Sequence, residues 1–391
     1  MSRYPIGPQP ELAPSVPVDL GRLRQPQYGR YLDDFVPNQI FVHPRGYSFE
    51  RSAMRDFATT FMQTNPLYLN AEVARVHGFR DIPASPQMVF NVVLSLGVQN
   101  DSEKAIANLG YYQAQFLRPV YAGDTLRAFT FVVDRKDRGA ESPGIVHIRT
   151  VGTNQRHEVV LQYERKIMVR WRGSKPVASP PSPEADGFPW ENEPAVELPT
   201  LPAAVPMDLT GPNTYFEDFA VGDVIVHANG RTITDEHLAY TYAVGNTHPL
   251  HYDRIYSTAL SGPMSGEPIV YGGLVFAWLD GLASRDTTEN ALWELGFTEG
   301  YHTQPAFSGD TVFALSRVLA VEAAPSPWGD HLGVVTFQLI GVKNERPKAL
   351  LDAHGAALFE KESNKRRSGN EKIANKIFEI ERRVLLKKRA G

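Results

Sequence analysis

The sequence contains no cysteine, which excludes disulfide bonds, thiolate catalysis and cysteine-ligated metals. It also has no apolar run of about 18 residues, the length that a membrane-spanning helix requires. The opening segment Met1-Ser-Arg-Tyr-Pro-Ile-Gly-Pro8 lacks the apolar stretch of an export signal. We therefore expect a cytoplasmic protein without a membrane span.

Charge is unevenly distributed along the chain, whose formal net charge is only −4. Residues 361–391 contain 11 Lys/Arg and 4 Asp/Glu, so the remainder of the chain is distinctly acidic. An acidic body does not attract nucleic acid. We therefore expect no nucleic-acid partner.

The basic tail, residues 361–391, shows a helical pattern. Ile373, Ile377, Ile380 and Val384 recur at the spacing of one helix face. This pattern predicts a basic amphipathic helix that docks on the acidic body or on a sister subunit. Contact with a membrane surface or with RNA is the alternative. Because the first half of the chain shows no matching segment, we expect the tail to be dispensable for folding.

The rest of the chain is an internal duplication. Ordered matches recur at nearly constant spacing, among them Leu109-Gly-Tyr111 with Leu295-Gly-Phe297, and Pro119-Val-Tyr-Ala-Gly-Asp-Thr125 with Pro305-Ala-Phe-Ser-Gly-Asp-Thr311. Such self-similarity indicates two copies of one structural unit. We divide the chain into a first repeat (1–172), a proline-rich extended linker (173–212), a second repeat (213–360) and the tail.

Each repeat has the same predicted order of elements. A polar helix comes first (50–62 and 235–244), followed by a helix that is apolar nearly all round (88–96 and 274–282) and should be buried on most sides. Alternating strands follow. Residues 145–170 predict a hairpin, and residues 333–359 predict its counterpart. This order predicts an α+β fold in which an antiparallel sheet wraps a buried helix.

One motif points to a family. Gly245-Asn-Thr-His-Pro-Leu-His-Tyr-Asp253 resembles the Gly-Asp-x-Asn-Pro-Leu-His motif of MaoC-like dehydratases. Ala105-Ile-Ala-Asn-Leu-Gly-Tyr111, Ile269-Val-Tyr-Gly-Gly273 and His302-Thr-Gln-Pro305 are similar to the mesaconyl-CoA hydratase branch. The resemblance implies a tandem (double) hot-dog fold and a hydro-lyase. Its substrate would be an enoyl-CoA, mesaconyl-CoA above all, converted reversibly to β-methylmalyl-CoA. It also implies no cofactor beyond the substrate's own CoA. Hot-dog units pair, and here the pairing can be internal to one chain, so both a single chain and a homo-oligomer of double hot-dog units stay open.

The resemblance assigns catalysis to the second repeat. His251 stands at the motif histidine, and an imidazole that ionises near neutral pH suits acid/base work. The first repeat has Tyr68 there, so that copy is expected to be non-catalytic and to shape the acyl pocket. Asn246 replaces the motif aspartate, with Gln63 as its counterpart. Because an amide cannot ionise, we expect Asn246 to orient water while His251 alone sets the acid limb of activity.

Backbone donors for the enolate oxygen are expected at the start of the second buried helix. Gly272 and Gly273 stand there, and a helix N-terminus favours developing negative charge. Pro86 and Gln87 hold the same positions in the first repeat, where the proline offers no N–H.

Substrate contacts are expected from Tyr68, Gln63, His248 and an arginine. Arg254 is the first candidate for the substrate carboxylate, and Arg231 and Arg118 are the others. His248 and His251 lack a third ligand at metal spacing, so no metal is expected.

Two other functions stay open. The chain could hydrate a different enoyl-CoA or an acyl-carrier substrate, or it could bind thioesters without turning them over. Asn246 favours the inactive binding protein, whereas His251 with Gly272-Gly273 argues against it.

Overall fold

One antiparallel sheet dominates the computed structural model, which describes residues 2–5, 7, 17–139, 142–173, 187–205, 209–260 and 265–389. Its 11 strands within these ranges are β1 Ile40–Val42, β2 Tyr47–Ser48, β3 Ala105–Phe116, β4 Thr125–Lys136, β5 Gly144–Thr153, β6 Val159–Val169, β7 Val224–Thr232, β8 Ala291–His302, β9 Thr311–Ala323, β10 Leu332–Lys343 and β11 Lys376–Lys387.

The strands follow the order β1-β4-β5-β6-β3-β8-β11-β10-β9-β7, and β2 pairs with β4. The helices in the described ranges are α1 Arg51–Thr60, α2 Ala71–Val76, α3 Pro86–Gly97, α4 Asp235–Ala243, α5 Arg254–Thr258, α6 Gly272–Thr287, α7 Pro347–His354 and α8 Glu362–Ser368. None of them is long and apolar enough to cross a bilayer.

The two repeats join through the middle of the sheet. β3 of the first repeat pairs with β8 of the second, Tyr111 lying opposite Gly300 and Gln115 opposite Gly296. Backbone hydrogen bonds therefore run without a break from one repeat into the other, and the central strands present no free edge.

The helices α3 and α6 form the centre of the molecule. Every residue of α3 is buried, and so are most residues of α6. The two helices touch: the Asn91 side-chain amide donates to the Gly273 carbonyl at 3.0 Å, and the Phe90 and Phe276 rings lie 6.2 Å apart. The predicted α+β layout, a buried helix wrapped by an antiparallel sheet in each repeat, is confirmed.

The two predicted hairpins had different outcomes. β5 and β6 pair as predicted, with the Asn154 N–H bonded to the Glu158 carbonyl at the turn. The prediction of a second hairpin over 333–359 was wrong, because residues 347–359 form α7 and a further helical turn. The true partner of β10 is β11, and Val335 lies opposite Val384.

The predicted tail helix was also wrong. Residues 376–387 form β11, an internal strand between β8 and β10. Both faces of β11 are covered, so most of its residues are buried and an apolar period cannot tell helix from strand. The second repeat therefore extends to Lys387 instead of ending at 360, and β11 is the counterpart of β6. A dispensable tail is incompatible with this position.

The linker reaches from the first repeat to the second. Its described residues, 173, 187–205 and 209–212, contain neither helix nor strand, while 174–186 and 206–208 lie outside the described residues. Phe188 packs on Phe131, and the Glu197 N–H donates to the Leu117 carbonyl at 2.8 Å. Further along, the Leu201 carbonyl accepts from His331 Nε2 at 3.0 Å.

Candidate active site

A cavity of about 290 Å³ opens between the repeats. Side chains from α3, β3 and β6 line its first-repeat side, and the motif segment, the start of α6 and the end of β8 line the other. Most of the lining is apolar. The polar and ionisable groups converge from Ser102, Asn108, Tyr111, Arg165, Asn246, His248, His251, Tyr271, His302, Thr303 and Gln304.

The motif segment folds into one short capped turn. The Asn246 side-chain oxygen accepts from the His248 N–H at 2.9 Å, and a single 3-10 turn follows over Pro249–His251. Proline at the first position of this turn suits its fixed φ. Asn246 is almost fully buried, yet it also lines the cavity. The motif therefore brings Asn246 and His251 to the same wall.

His251 is held in one tautomer. Its Nδ1 lies 2.8 Å from the Ile269 carbonyl oxygen, which can only accept, so Nδ1 carries the proton. Nε2 therefore has a free lone pair, as a general base requires. Burial lowers the pKa of His251 to about 3, and the neighbouring His248 and His302 add to the effect. The expectation that His251 ionises near neutral pH therefore does not hold for the free protein.

His248 caps the turn. Its Nδ1 accepts from the Leu250 N–H at 3.2 Å, and its Nε2 donates to the Ala105 carbonyl of β3 at 3.3 Å. Burial lowers its pKa to about 4. Since both ring nitrogens are engaged within the protein, His248 anchors the motif to the first repeat instead of offering a polar atom to substrate. Among the described residues no cluster of three or more His, Asp or Glu could hold a metal.

The start of α6 forms the cavity wall beside His251. The Leu274 and Val275 N–H groups both turn back to the Tyr271 carbonyl, which leaves the N–H groups of Gly272 and Gly273 at the open end of the helix. A Cβ on Gly272 would meet the His302 ring at 2.6 Å, and one on Gly273 would meet Asn91 Oδ1 at 2.1 Å. Gly272 lines the cavity, whereas Gly273 lies in the α3–α6 contact.

Sequence reasoning missed the contributions of Tyr111 and His302. The Tyr111 hydroxyl of β3 lies 3.3 Å from His302 Nε2 at the end of β8, so this bond joins the two repeats across the cavity. Burial lowers the pKa of His302 to about 4. Both residues belong to segments that carried the family resemblance, and that was the available signal. Their proximity depends on the β3–β8 pairing.

Three predicted substrate residues do not line the cavity in the described structure. Gln63 donates to Asp280 Oδ2 at 3.3 Å. Tyr68, which holds in the first repeat the position that His251 holds in the second, is buried near Glu294. Arg254 is exposed and pairs with Glu267 at 2.8 Å.

The other two arginine candidates also lie elsewhere. Arg231 bonds His237 at 2.8 Å, and Arg118 pairs with the linker residues Glu191 and Glu197. The cavity takes its arginine from β6 instead, as Arg165.

Acid should destabilise the folded protein earlier than carboxylate titration alone would. Burial lowers the pKa of His43, His248 and His302 to about 4, and that of His251 to about 3. The unfolded chain therefore binds more protons below about pH 6.5, and the free energy of unfolding falls as pH falls from there. Urea denaturation between about pH 8 and 5 should show a declining midpoint. A midpoint that stays constant down to pH 5 would contradict these buried neutral imidazoles.

Comparisons of the sequence with known proteins agree with the arrangement of the cavity and point to one hydratase family. The family model described as mesaconyl-CoA hydratase matches residues 16–360. A Cereibacter sphaeroides protein named mesaconyl-CoA hydratase is 32% identical over 322 residues, which are 81% of this chain and 90% of that protein. A Chloroflexus aurantiacus protein named β-methylmalyl-CoA dehydratase is 32% identical over 336 residues, 82% of this chain and 89% of that protein.

Solved structures agree on the fold. A MaoC domain protein dehydratase of Chloroflexus aurantiacus, described as putative, superposes with a TM-score of 0.75 at 28% identity, covering 94% of this chain and 100% of that one. A Mycobacterium tuberculosis protein described as a double hot-dog fold gives a TM-score of 0.69 at 19% identity, covering 91% of this chain and 98% of that one. The double hot-dog prediction is confirmed.

Proposed function

We propose, since this chain belongs to the mesaconyl-CoA hydratase family, that it converts mesaconyl-CoA and β-methylmalyl-CoA reversibly into one another. It is a hydro-lyase of the enoyl-CoA hydratase type. The observation that carries the proposal is one cavity lined by His251, with a free Nε2 lone pair, by Asn246 and by the N-terminus of α6.

The proposed reaction begins at a water molecule. His251 Nε2 takes a proton from that water while its oxygen bonds to the β-carbon of the enoyl group. The electrons of the double bond move to the thioester oxygen, which becomes an enolate. The imidazolium then returns the proton to the α-carbon and the carbonyl re-forms. This cycle uses no redox step, so it requires no cofactor.

Two features of the cavity assist this cycle: one stabilises the developing negative charge, and the other positions the water. The Gly272 N–H at the open end of α6 donates to the enolate oxygen, and the helix dipole adds to that effect. Asn246 positions the water through its side-chain Nδ2, since its Oδ1 already accepts from the His248 N–H. An amide cannot take the water proton, so the base role falls to His251 alone.

We propose that only the second repeat is catalytic. At the matching place in the first repeat, α3 begins with Pro86, which has no N–H to donate. Tyr68, the counterpart of His251, is buried against acidic groups of the second repeat. The first repeat instead supplies Tyr111, Asn108 and Arg165 to the cavity.

A spectrophotometric assay tests the proposed substrate. Loss of the enoyl absorbance should be faster with mesaconyl-CoA than with crotonyl-CoA, which lacks the free carboxylate. Turnover of crotonyl-CoA alone would identify a hydratase for another acyl group. Tight binding of both without turnover would identify an inactive thioester-binding protein, the function that Asn246 by itself favours.

Replacing Asn246 by alanine should lower kcat/KM by about 5–150-fold, the cost of about 1–3 kcal/mol for a lost hydrogen bond to a critical group. Asn246→Asp keeps the acceptor for the His248 N–H and should retain measurable activity. Its negative charge should impair mesaconyl-CoA more than crotonyl-CoA, because only the former carries a carboxylate. Steady-state kinetics with both substrates measure this. Equal losses on the two substrates would count against a dicarboxylic acyl group.

A further inference from the structure

Arg165 is the single lysine or arginine among the described residues that line the cavity. It lies on β6, directly opposite Tyr111 of β3, and only 4% of it is exposed. A guanidinium group loses much of its hydration at such a position and needs partners that compensate. The partners that it has, and those that it lacks, decide what the cavity can bind.

The protein satisfies Arg165 only in part. Nη2 donates to Asp101 Oδ1 at 2.9 Å and to Ser102 Oγ at 3.1 Å. Nε is buried and has no hydrogen-bond partner among the described residues. Asp101 in turn accepts from Thr130 Oγ1 at 3.1 Å. Asp101 thus fixes one end of the guanidinium while the remaining donors are left for a ligand.

The second repeat contains an arginine whose three guanidinium nitrogens all have hydrogen-bond partners. Arg382 of β11 lies opposite Phe297 of β8, the counterpart of Tyr111. It bonds two carboxyl groups: Asp280 through Nη1, and Glu294 through Nη2 and through Nε at 3.0 Å.

The carboxyl groups around Arg382 are absent from the catalytic cavity. The spacing that relates Leu109-Gly-Tyr111 to Leu295-Gly-Phe297 also relates Asn108 to Glu294 and Leu94 to Asp280. Both Asn108 and Leu94 line the cavity. A neutral amide and an aliphatic side chain therefore replace the two carboxyl groups, and any anionic partner of Arg165 in the cavity beyond Asp101 must come from outside the protein.

We infer that Arg165 is a specificity-determining residue that binds the free carboxylate of a short dicarboxylic acyl-CoA; this rests on the proposed function for the identity of the acyl group. A carboxylate accepts charge-assisted N–H···O bonds from a guanidinium, which the methyl end of an uncharged acyl group cannot do. Arg165 approaches from the first repeat, whereas Gly272 and His251 line the cavity from the second. The acyl group therefore spans the repeat interface, with its thioester at α6 and its carboxylate at β6.

The test is direct binding of two unreactive acyl-CoA compounds that differ at one end. Succinyl-CoA carries a carboxylate where butyryl-CoA carries a methyl group, so their CoA contacts cancel. Titration calorimetry of the full chain should show about 10–100-fold tighter binding of succinyl-CoA, the range for charge-assisted hydrogen bonds. Arg165→Met should abolish this preference by weakening succinyl-CoA, and Arg165→Lys should keep part of it.

Two further variants complete the design. Arg254→Met removes an arginine outside the cavity and should keep the full preference. Because Arg165→Met leaves Asp101 without its cation, Asp101→Asn/Arg165→Met removes the pair together and should also lose the preference in a folded protein. Equal affinity of the native chain for both ligands, or a preference that persists in the folded variants that lack Arg165, would overturn the role of Arg165. Mesaconyl-CoA turnover by the native chain is a separate result, so failure of the proposed function would be recognised independently.

Discussion

Replacing His251 by alanine is expected to lower kcat by about 10²–10⁴-fold, the usual contribution of a positioned acid/base group. Nε2 of His251 has the free lone pair at the cavity wall, and Asn246 cannot take over the proton. Alanine removes the base and leaves the Gly272 N–H in place, so substrate binding should change much less than turnover. Hydration of mesaconyl-CoA by the purified variant, with thermal denaturation to show that it is folded, measures the effect.

Tyr68→Phe is the matched control for this variant. Tyr68 holds the corresponding position in the first repeat but lies outside the cavity, so its kcat should stay close to the native value. A folded His251→Ala variant with near-native turnover would refute the assignment. Equal losses in both variants would refute the model with one catalytic repeat.

The pH dependence offers a second check on His251. Burial lowers the pKa of this imidazole to about 3 in the free protein, so kcat/KM should show no loss from its protonation near neutral pH. Bound substrate brings a negatively charged carboxylate into the cavity, which favours the imidazolium. The acid limb of kcat should therefore lie at higher pH than that of kcat/KM. Coincident limbs near pH 6.5 would show an unperturbed imidazole instead.

Ending the chain after residue 375 is expected to abolish the folded state. This truncation removes β11 and breaks its pairing with both β8 and β10. Six large apolar side chains of β11 are buried, each contributing about 1.5–3 kcal/mol; they are Ile377, Phe378, Ile380, Val384, Leu385 and Leu386. Their sum is comparable with the whole stability of an ordinary domain, about 5–15 kcal/mol.

Buried charge makes the loss of β11 still more severe. Arg382 is the cation for Asp280 and Glu294, and an ion left unpaired in the interior costs about 3–5 kcal/mol. Soluble expression and circular dichroism should both report a protein that does not fold. The control ends after Lys387 and removes only the residues beyond β11; it should fold. A folded, active protein that ends at residue 375 would show that β11 is not part of the core.

Local sequence determined the features that depend on nearest neighbours along the chain. The duplication was visible because two copies of one unit keep the same spacing of glycines, prolines and apolar residues. The two central helices were predicted because an all-round apolar stretch such as 88–96 can only be buried. The turn at 245–251 was recognised because its asparagine and histidine stand at fixed places in a short motif.

Only the tertiary structure decided which distant residues share the cavity. Arg165 gave no signal because nothing near it in sequence distinguishes a buried arginine from a surface one, and its place opposite Tyr111 follows from strand pairing. Arg254 looked suitable because it adjoins the motif, yet α5 turns it toward Glu267 and solvent. The tail was misread for a related reason: β11 is covered on both faces, and its charged Arg382 is paired inside the protein. A periodic pattern arises when one face is exposed and the other is buried. It therefore carries no information about a strand that has no exposed face.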